Sequence, residues 1–536
     1  MPNPDYRKMF EGLEAHNPAD EDLNKLALIM SGRAKFPDAN PFARLRKFLM
    51  DILFPKNKPE PIPAGYTYLA QFIAHEISFD ENSNRHVRND HPWLILKPEE
   101  IKELKNLRKP SLDLEVLYGY EKSIGDEPPR RELMRENSPL PFLKLGYTQQ
   151  DLSVNVSFPN DLPRRNGTAE AHIVDPRNDE NLILAQTLVA FIKFHNALVV
   201  ALNETGKYKK EKLFDKARQL TIRYYQTIIL TDFLPRIVHK SILEDVLHKR
   251  ETGELFFKPE RDDMFIPLEF SVAAFRFGHS MIRREYNLNR VKPSTSFDDL
   301  MMFTSRGRMN QIASRKHLPS SWIINWYSFY KINDPPLNIA EQIDTKLPQE
   351  LLQLSPKVKE GNKDGRASSL AALDLFRGRR FGLPTGQAIA EKIYGKSGAG
   401  LSAKQIGDLI MLKEIRPEDE TPEQAQKIKE RLRDVFSKET PLWFYILAEA
   451  EIQNDGKLGD VGGRIVAETL IQLLYNSEHS ILREKKWERG EDFLLEGGET
   501  FGVADMLKFI QRKSESHFNI LYGDTKDNFD ELNPLG

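Results

Sequence analysis

The chain has 536 residues, 40% of them hydrophobic and 29% charged, a composition ordinary for a soluble globular protein and ample for a large core. Its 77 Lys plus Arg against 79 Asp plus Glu leave a net charge of -2, so no global field gathers nucleic acid or an anionic membrane, and a neutral or small partner is expected. Cysteine is absent, which excludes disulfides, thiolate zinc sites, iron–sulfur clusters and thioether-linked haem, and leaves His, carboxylate or Tyr to hold any transition metal.

Taken in chain order, residues 1–60 read as a helical extension. DEDLNKLALIMSGR and PFARLRKFLMDILF have helical period, and the Pro-rich KNKPEPIPAG then breaks the chain. MPNPDYRKMFEGLEAHNPADED lacks the apolar region of a secretory signal, so a cytoplasmic location is expected. Next comes YTYLAQFIAHEISFD, an apolar run of helix length that places Gln71 and His75 on one face, one turn apart. Such a pair either satisfies itself inside the core or faces something polar in a pocket.

From His86 to Thr168 the sequence is rich in Pro, Gly, Asn and charge, with short helices at best, and reads as a long irregular connection. From Asn181 the helical signal is strong: NLILAQTLVAFIKFHNALVVALNE, EKLFDKARQLTIRYYQTIILTDFLPRIVHKSILEDVL and PLEFSVAAFRFGHSMIRREYNL are followed by several more segments of the same period. The longest apolar run, Thr187 to Leu202, is interrupted by Lys193, His195 and Asn196, too short and too polar for a membrane span. Strand-like alternation is scarce. The expectation is a mainly α protein with very little β, built as one large domain over 61–513 with a tail at 514–536.

Three polar groups stand where apolar residues would be expected. His279 lies in SVAAFRFGHSMI beside Gly278, with Arg276 one turn before it, and the glycine suggests that something flat approaches the backbone there. Arg177 lies in VDPRNDENLIL, where Asp179 and Glu180 also suit the start of the next helix. Asp374 precedes Arg377 by three residues in DLFRGRRFGLP, on a helix ending near Gly382 and Pro384. Packed or solvated structural roles fit each of these taken alone. Two glycine-rich stretches, YGKSGAG and GKLGDVGGR, lack the preceding strand that a phosphate-binding loop requires.

Taken together, QFIAHEISFD, DPRNDENL with His195 and Asn196 on the same helix, FRFGHSMI and LDLFRGRRFGLPTGQ resemble the animal-type haem peroxidases of the peroxidase–cyclooxygenase superfamily, in their bacterial branch. The resemblance spans about residues 60 to 510. It implies a single helical haem-peroxidase domain binding haem b, with hydrogen peroxide and a small reducing substrate as partners. His279 would be the proximal ligand to the haem iron, His75 the distal acid/base group, Arg177 the distal cation and Gln71 its polar neighbour. Peroxide would be reduced through a ferryl intermediate that oxidises small aromatic donors, halides or thiocyanate. The alternatives are a haem-dependent fatty-acid oxygenase and a catalytically weak haem-binding helical protein. The oxygenases carry a tyrosine three residues before the proximal histidine, where this chain has Arg276, which favours the peroxidase.

This chain also departs from the resemblance. Ala74 stands where the animal enzymes place an ester-forming aspartate, and Glu180 matches the second such position, so at most one ester to haem is expected. The structural calcium site of the family maps to Glu76, Asp113 and Glu115, with Lys109 where a threonine is usual. Calcium is therefore possible here, or Lys109 takes its place and bridges Glu76 and Asp113. Asp374 falls where the family has an asparagine near the proximal histidine's second nitrogen, and would give His279 imidazolate character. Arg377 would suit a haem propionate, as a cofactor-binding residue beside Arg276, and His195 is read as structural.

Overall fold

The computed structural model describes residues 6–30, 60–79, 95–120, 127–312, 315–332, 337–348, 351, 369–415, 420–453, 456–483 and 500–522. The longer helices are α1 (Asp20–Met30), α2 (Gly65–Ile77), α3 (Leu182–Glu204), α4 (Lys210–Ile228), α5 (Lys240–Thr252), α6 (Leu370–Arg380), α7 (Gly386–Tyr394), α8 (Ala403–Leu412), α9 (Pro422–Phe436), α10 (Leu442–Ile452), α11 (Gly462–Asn476) and α12 (Val503–Tyr522). Extended structure among the described residues is confined to short pairs. Strand β1 (Tyr6–Arg7) runs parallel to β2 (Ile266–Pro267), and β3 (Glu285–Tyr286) runs antiparallel to β4 (Thr295–Ser296). The mainly α expectation holds. The expected helix PFARLRKFLMDILF lies outside the described residues, as does 523–536 of the tail.

The fold is organised around α3. Its N-terminus is fixed by Asn181, whose side chain accepts from the Leu184 N–H at 3.0 Å. The helix is buried on all faces; among the described residues it is the one long and apolar enough to cross a membrane, yet all of that apolar stretch is buried. It packs against α2, α4 and α12. Phe72 of α2 stacks on Phe191 of α3 with centroids 5.1 Å apart, and Tyr225 of α4 meets both rings edge-on at 6.1 and 5.6 Å. Each such aromatic pair adds about 0.5–1.5 kcal/mol beyond the area it buries, so the cluster sets the position of α2 on the core.

Two interruptions of helical period matter for the site. After α4 the chain widens into a π turn at Ile229–Phe233 just before Pro235, which cannot donate a backbone hydrogen bond. The turn presents Asp232 to the Tyr66 hydroxyl, 2.7 Å from one carboxylate oxygen, and so anchors the start of α2. The segment expected as a third long helix is instead a π turn at Glu269–Ala273 followed by a 3₁₀ turn at Ala274–His279. The break falls at Ala273, with φ −130° and ψ −68°. A 3₁₀ turn has three residues per turn, so Arg276 and His279 lie one above the other along one edge.

Residues 6–30, expected as an extension, are woven into this same core. The Glu269 side chain accepts from the Met9 N–H at 2.8 Å and the Phe10 N–H at 3.3 Å. Helix α1 packs on α6, and Arg379 of α6 donates to the Pro18 carbonyl and pairs with Asp20. Helix α6 ends as its sequence predicts. Gly382 takes φ +60°, and the N–H groups of Gly382 and Leu383 return to the carbonyls of Arg379 and Gly378, closing a glycine-terminated cap. At the other end, α12 packs along α3, and the expected boundary at 514 falls inside that helix.

Candidate active site

The distal group is built where α2 meets the turn that leads into α3. Asp175 and Pro176 start a 3₁₀ turn at Pro176–Asp179: the Asp175 side chain accepts from the Arg177 N–H at 2.9 Å, and Pro176 pre-sets the first helical φ. Burial alone would push the Asp175 carboxyl up, but Arg177 and Arg108 hold it well below the usual carboxylate range. Arg108 is itself fully buried, with its Nε 3.1 Å from Asp175 and its other end on Glu127 at 2.6 Å.

On this platform His75 is buried, with Nδ1 2.9 Å from Asn178 Oδ1. An amide oxygen only accepts, so Nδ1 carries the proton and Nε2 holds the lone pair. Nε2 stands 3.9 Å from Glu180 Oε1. Burial first and Arg177 second push the imidazole pKa down to about 3, so the ring is neutral at physiological pH. Gln71 is fixed at both ends of its amide: its N–H donates to Glu180 Oε1, and its carbonyl accepts from Asn181 Nδ2 at 3.0 Å. Glu180 keeps 40% of its side-chain surface accessible. Burial raises its carboxyl to about 6, against the opposing charge of Arg177.

Arg177, expected as the distal cation, is held in place by several acceptors. Its guanidinium donates to both oxygens of Asp175, to the Ser78 carbonyl at 2.9 Å and to the His75 carbonyl at 3.0 Å, with its flat face 4.1 Å from the Phe79 ring centroid. Four of its five N–H donors are thereby committed to bracing the C-terminal end of α2. Asp179 and Glu180 are not the caps of α3, a role taken by Asn181. Asp179 is buried between Arg164 and the Ser305 N–H.

The proximal group lies on the 3₁₀ turn and α6. His279 Nδ1 is 2.7 Å from Asp374 Oδ2, and Arg276 donates to Asp374 Oδ1 at 2.8 Å, the stacked arrangement that the 3₁₀ turn allows. Arg377 stands 3.5 Å from the same Oδ1. Burial would raise the Asp374 carboxyl, but Arg276, His279 and Arg377 hold it down at about 2. The carboxylate therefore accepts the Nδ1 proton and leaves His279 Nε2 as a free donor, with 28% of the side chain accessible. A Cβ built on Gly278 would meet no atom within 4 Å, so the backbone beside His279 borders open space. A flat group with one vacant metal position fits this wall, and the expected pairing of His279 with Asp374 is present.

The residues of the expected cation site each find donors within the protein. Glu76 is fully buried, and its oxygens accept from the N–H groups of Glu115 at 2.8 Å and Val116 at 3.0 Å, at the start of the short helix Glu115–Tyr118. Glu115 accepts from the Tyr120 hydroxyl, and Asp113 from the Glu478 N–H at 3.0 Å. Each carboxylate has its own donors, and no metal-holding cluster occurs among the described residues. Lys109 reaches Asp113 at 3.9 Å with 45% of its side chain exposed, and among the described contacts it does not bridge to Glu76. His195 is structural as expected, fully buried with Nδ1 3.0 Å from the Tyr118 hydroxyl.

Sequence reasoning missed Asn178, Asp175, Arg108 and Asn181. Only the Asp-Pro pair signals the capped turn; nothing in the sequence separates these polar residues from those of an exposed loop.

Comparison with known proteins identifies the family and the fold. The profile of the animal haem peroxidase family matches residues 97–421, which include Arg177, Glu180, His279, Asp374 and Arg377, with Gln71 and His75 preceding the match. The chain is 27% identical over 211 residues to a chorion peroxidase of Aedes aegypti, covering 39% of this chain and 24% of that protein. It is 26% identical over 217 residues to eosinophil peroxidase of Homo sapiens, covering 39% and 27%. The chain thus spans about a quarter of the length of these curated relatives. Among solved structures, peroxidase A from Dictyostelium discoideum aligns over 98% of this chain and 94% of its own, with TM-score 0.56 and 15% identity. A fatty acid alpha-dioxygenase from Oryza sativa aligns over 95% and 80%, with TM-score 0.55 and 12% identity. At these identities the structures share the fold.

Proposed function

Because the chain belongs to the animal haem peroxidase family, we propose that it holds haem on His279 and uses hydrogen peroxide to oxidise small aromatic donors or anions such as halides and thiocyanate. One observation carries this reading: two histidines on elements packed against each other, α2 and the 274–279 turn, each have Nδ1 fixed by a protein acceptor and Nε2 left open.

Haem would supply the redox chemistry that cleaves peroxide and oxidises a donor. His279 Nε2 would hold its iron, and Asp374 would strengthen that nitrogen by accepting the Nδ1 proton. His75 Nε2 takes a proton from one peroxide oxygen and returns it to the other as that oxygen leaves, a task for a neutral imidazole with a free lone pair. Glu180, whose raised pKa lets it exchange protons near neutrality, stands 3.9 Å from that nitrogen and holds Gln71 in place. Arg177 acts through His75, whose carbonyl it grips. Arg276 is committed to Asp374 and stands where the fatty-acid oxygenases of the superfamily carry a tyrosine, which favours peroxidation over fatty-acid oxygenation.

The test is an absorption spectrum of the purified protein before and after one equivalent of peroxide. A Soret band that shifts with peroxide and returns on adding an aromatic donor is the expected result. A band inert to peroxide would leave a haem-binding protein, and no band, or one unaffected by His279→Ala, would overturn the reading.

A further inference from the structure

Two consecutive residues hold His75 from both sides. Arg177 grips its main-chain carbonyl at 3.0 Å, and Asn178 meets its ring at 2.9 Å. We propose that Asn178 is the positioning residue of the distal site: by accepting the Nδ1 proton it holds His75 in the tautomer whose Nε2 is free to take a proton from peroxide. This rests on the peroxidase reading above and assigns it a residue that lies outside the expected catalytic set.

Three observations carry it. Asn178 is fully buried, so its amide oxygen is shielded from bulk solvent, and among the described residues its side chain bonds to His75 alone. Its Nδ2 is buried without a partner, a cost of about 1–3 kcal/mol for an unmade hydrogen bond that an apolar residue would not incur. The fold therefore keeps an amide here at the expense of stability, as expected where the oxygen serves function. Turned the other way, the amide would donate to Nδ1 and place the proton on Nε2, removing the base.

The backbone gives Asn178 little freedom to do otherwise. Its N–H bonds to the Asp175 carbonyl at 3.0 Å, in a turn whose capping carboxylate is clamped by Arg108 and Arg177. The charged groups around the imidazole are Arg177, Asp175 and Arg108 on the Asn178 side and Glu180 towards Nε2. Asn178 is thus the neutral contact in a charged shell, and it orients the ring without adding a charge that would protonate it.

The experiment uses the full-length haem-loaded protein and follows the second-order rate of its reaction with hydrogen peroxide across pH. His75→Ala serves as the reference. Asn178→Leu is expected to lower the rate by about 10–100-fold, the usual effect of losing such an orienting contact, with the ferric and dithionite-reduced spectra that report the His279 side unchanged. Asn178→Asp keeps the acceptor and adds charge, so the rate recovers at alkaline pH and its acid limb moves to higher pH. Selective ¹⁵N labelling of histidine should show the His75 proton on Nδ1 in the parent protein. If His75→Ala slows the reaction while Asn178→Leu does not, or Asn178→Asp leaves the acid limb unmoved, or the proton is found on Nε2, Asn178 has no such role and the peroxidase reading stands. If the protein takes up no haem, or His75→Ala reacts as fast as the parent, that reading fails and the inference with it.

Discussion

Asp374 and His279, 95 residues apart in the chain, are joined by a 2.7 Å contact between Oδ2 and Nδ1, and the other carboxylate oxygen is tied to Arg276 on the same turn as the histidine. With haem held on His279 as proposed, the carboxylate would strengthen the histidine as a donor and so favour the oxidised iron. Asp374→Asn in the haem-loaded protein is expected to raise the Fe(III)/Fe(II) potential by about 60 mV or more, a tenfold change in a one-electron equilibrium. Potentiometric titration of parent and variant measures it, and an unchanged potential would show that the contact does not tune the iron.

Glu180 is the one carboxylate at the two positions from which an ester to haem could form, since the other is Ala74. After turnover with peroxide, acidified acetone followed by mass spectrometry should find no more than one covalent link, and none in Glu180→Gln. The same variant has a pH signature. The folded-state pKa of about 6 lies above the ordinary value of 4.5, so the folded protein binds the extra proton and stability falls as pH rises through that window. Glu180→Gln should therefore gain thermal stability relative to the parent at pH 7 and lose that advantage at pH 4. Parallel melting curves at both pH values would sink the assignment.

His75 works in the opposite sense. Its folded-state pKa of about 3 lies below the ordinary 6.5, so the stability of the neutral buried ring is complete above 6.5 and is lost as pH falls towards 3. Each such group adds up to about 1.4 kcal/mol of slope per pH unit. His195, near 3, and His16, near 4, add to the same trend. Urea midpoints between pH 7 and 4.5 should fall less steeply for His75→Gln than for the parent.

Because the oxygens of Glu76 accept from the amides of Glu115 and Val116 without a metal, a calcium chelator should leave the melting temperature unchanged. Glu76→Ala leaves those two buried donors without an acceptor and should cost about 2–4 kcal/mol by chemical denaturation. A fall in melting temperature with chelator that calcium restores would contradict this.

At the proximal side, Glu269→Ala removes the acceptor of the Met9 and Phe10 N–H groups. A loss of about 2–3 kcal/mol is expected, since hydrogen bonds to charged groups are the stronger ones. The π turn that Glu269 opens leads into His279, so the variant should also release haem faster to apomyoglobin.

The helical periods, the apolar α3 and the glycine stop of α6 are local features, and each is legible in the sequence. His75, His279 and Asp374 are legible because their motifs stand in order along the chain. The direction in which a side chain turns is not. Arg177 reads as a cation available to substrate, but buried Asp175, which no local signal marks as buried, claims it. Arg276 and His279 are spaced three apart, which suits either helix type, and only the π turn before them settles a 3₁₀ geometry that brings both to one carboxylate. Asn178 looks like any turn residue until the burial around it is seen.

The proximal wall has its own timetable. Met9 and Phe10 lie 260 and 259 residues before their acceptor Glu269, Lys8 donates to the Gly382 carbonyl across 374 residues, and Asp22 accepts from Arg431 across 409. During synthesis from the N-terminus these contacts cannot form until their distant partners exist. Residues 6–30 therefore wait for partners made hundreds of residues later, and until they dock the side of the molecule behind His279 stays unsealed.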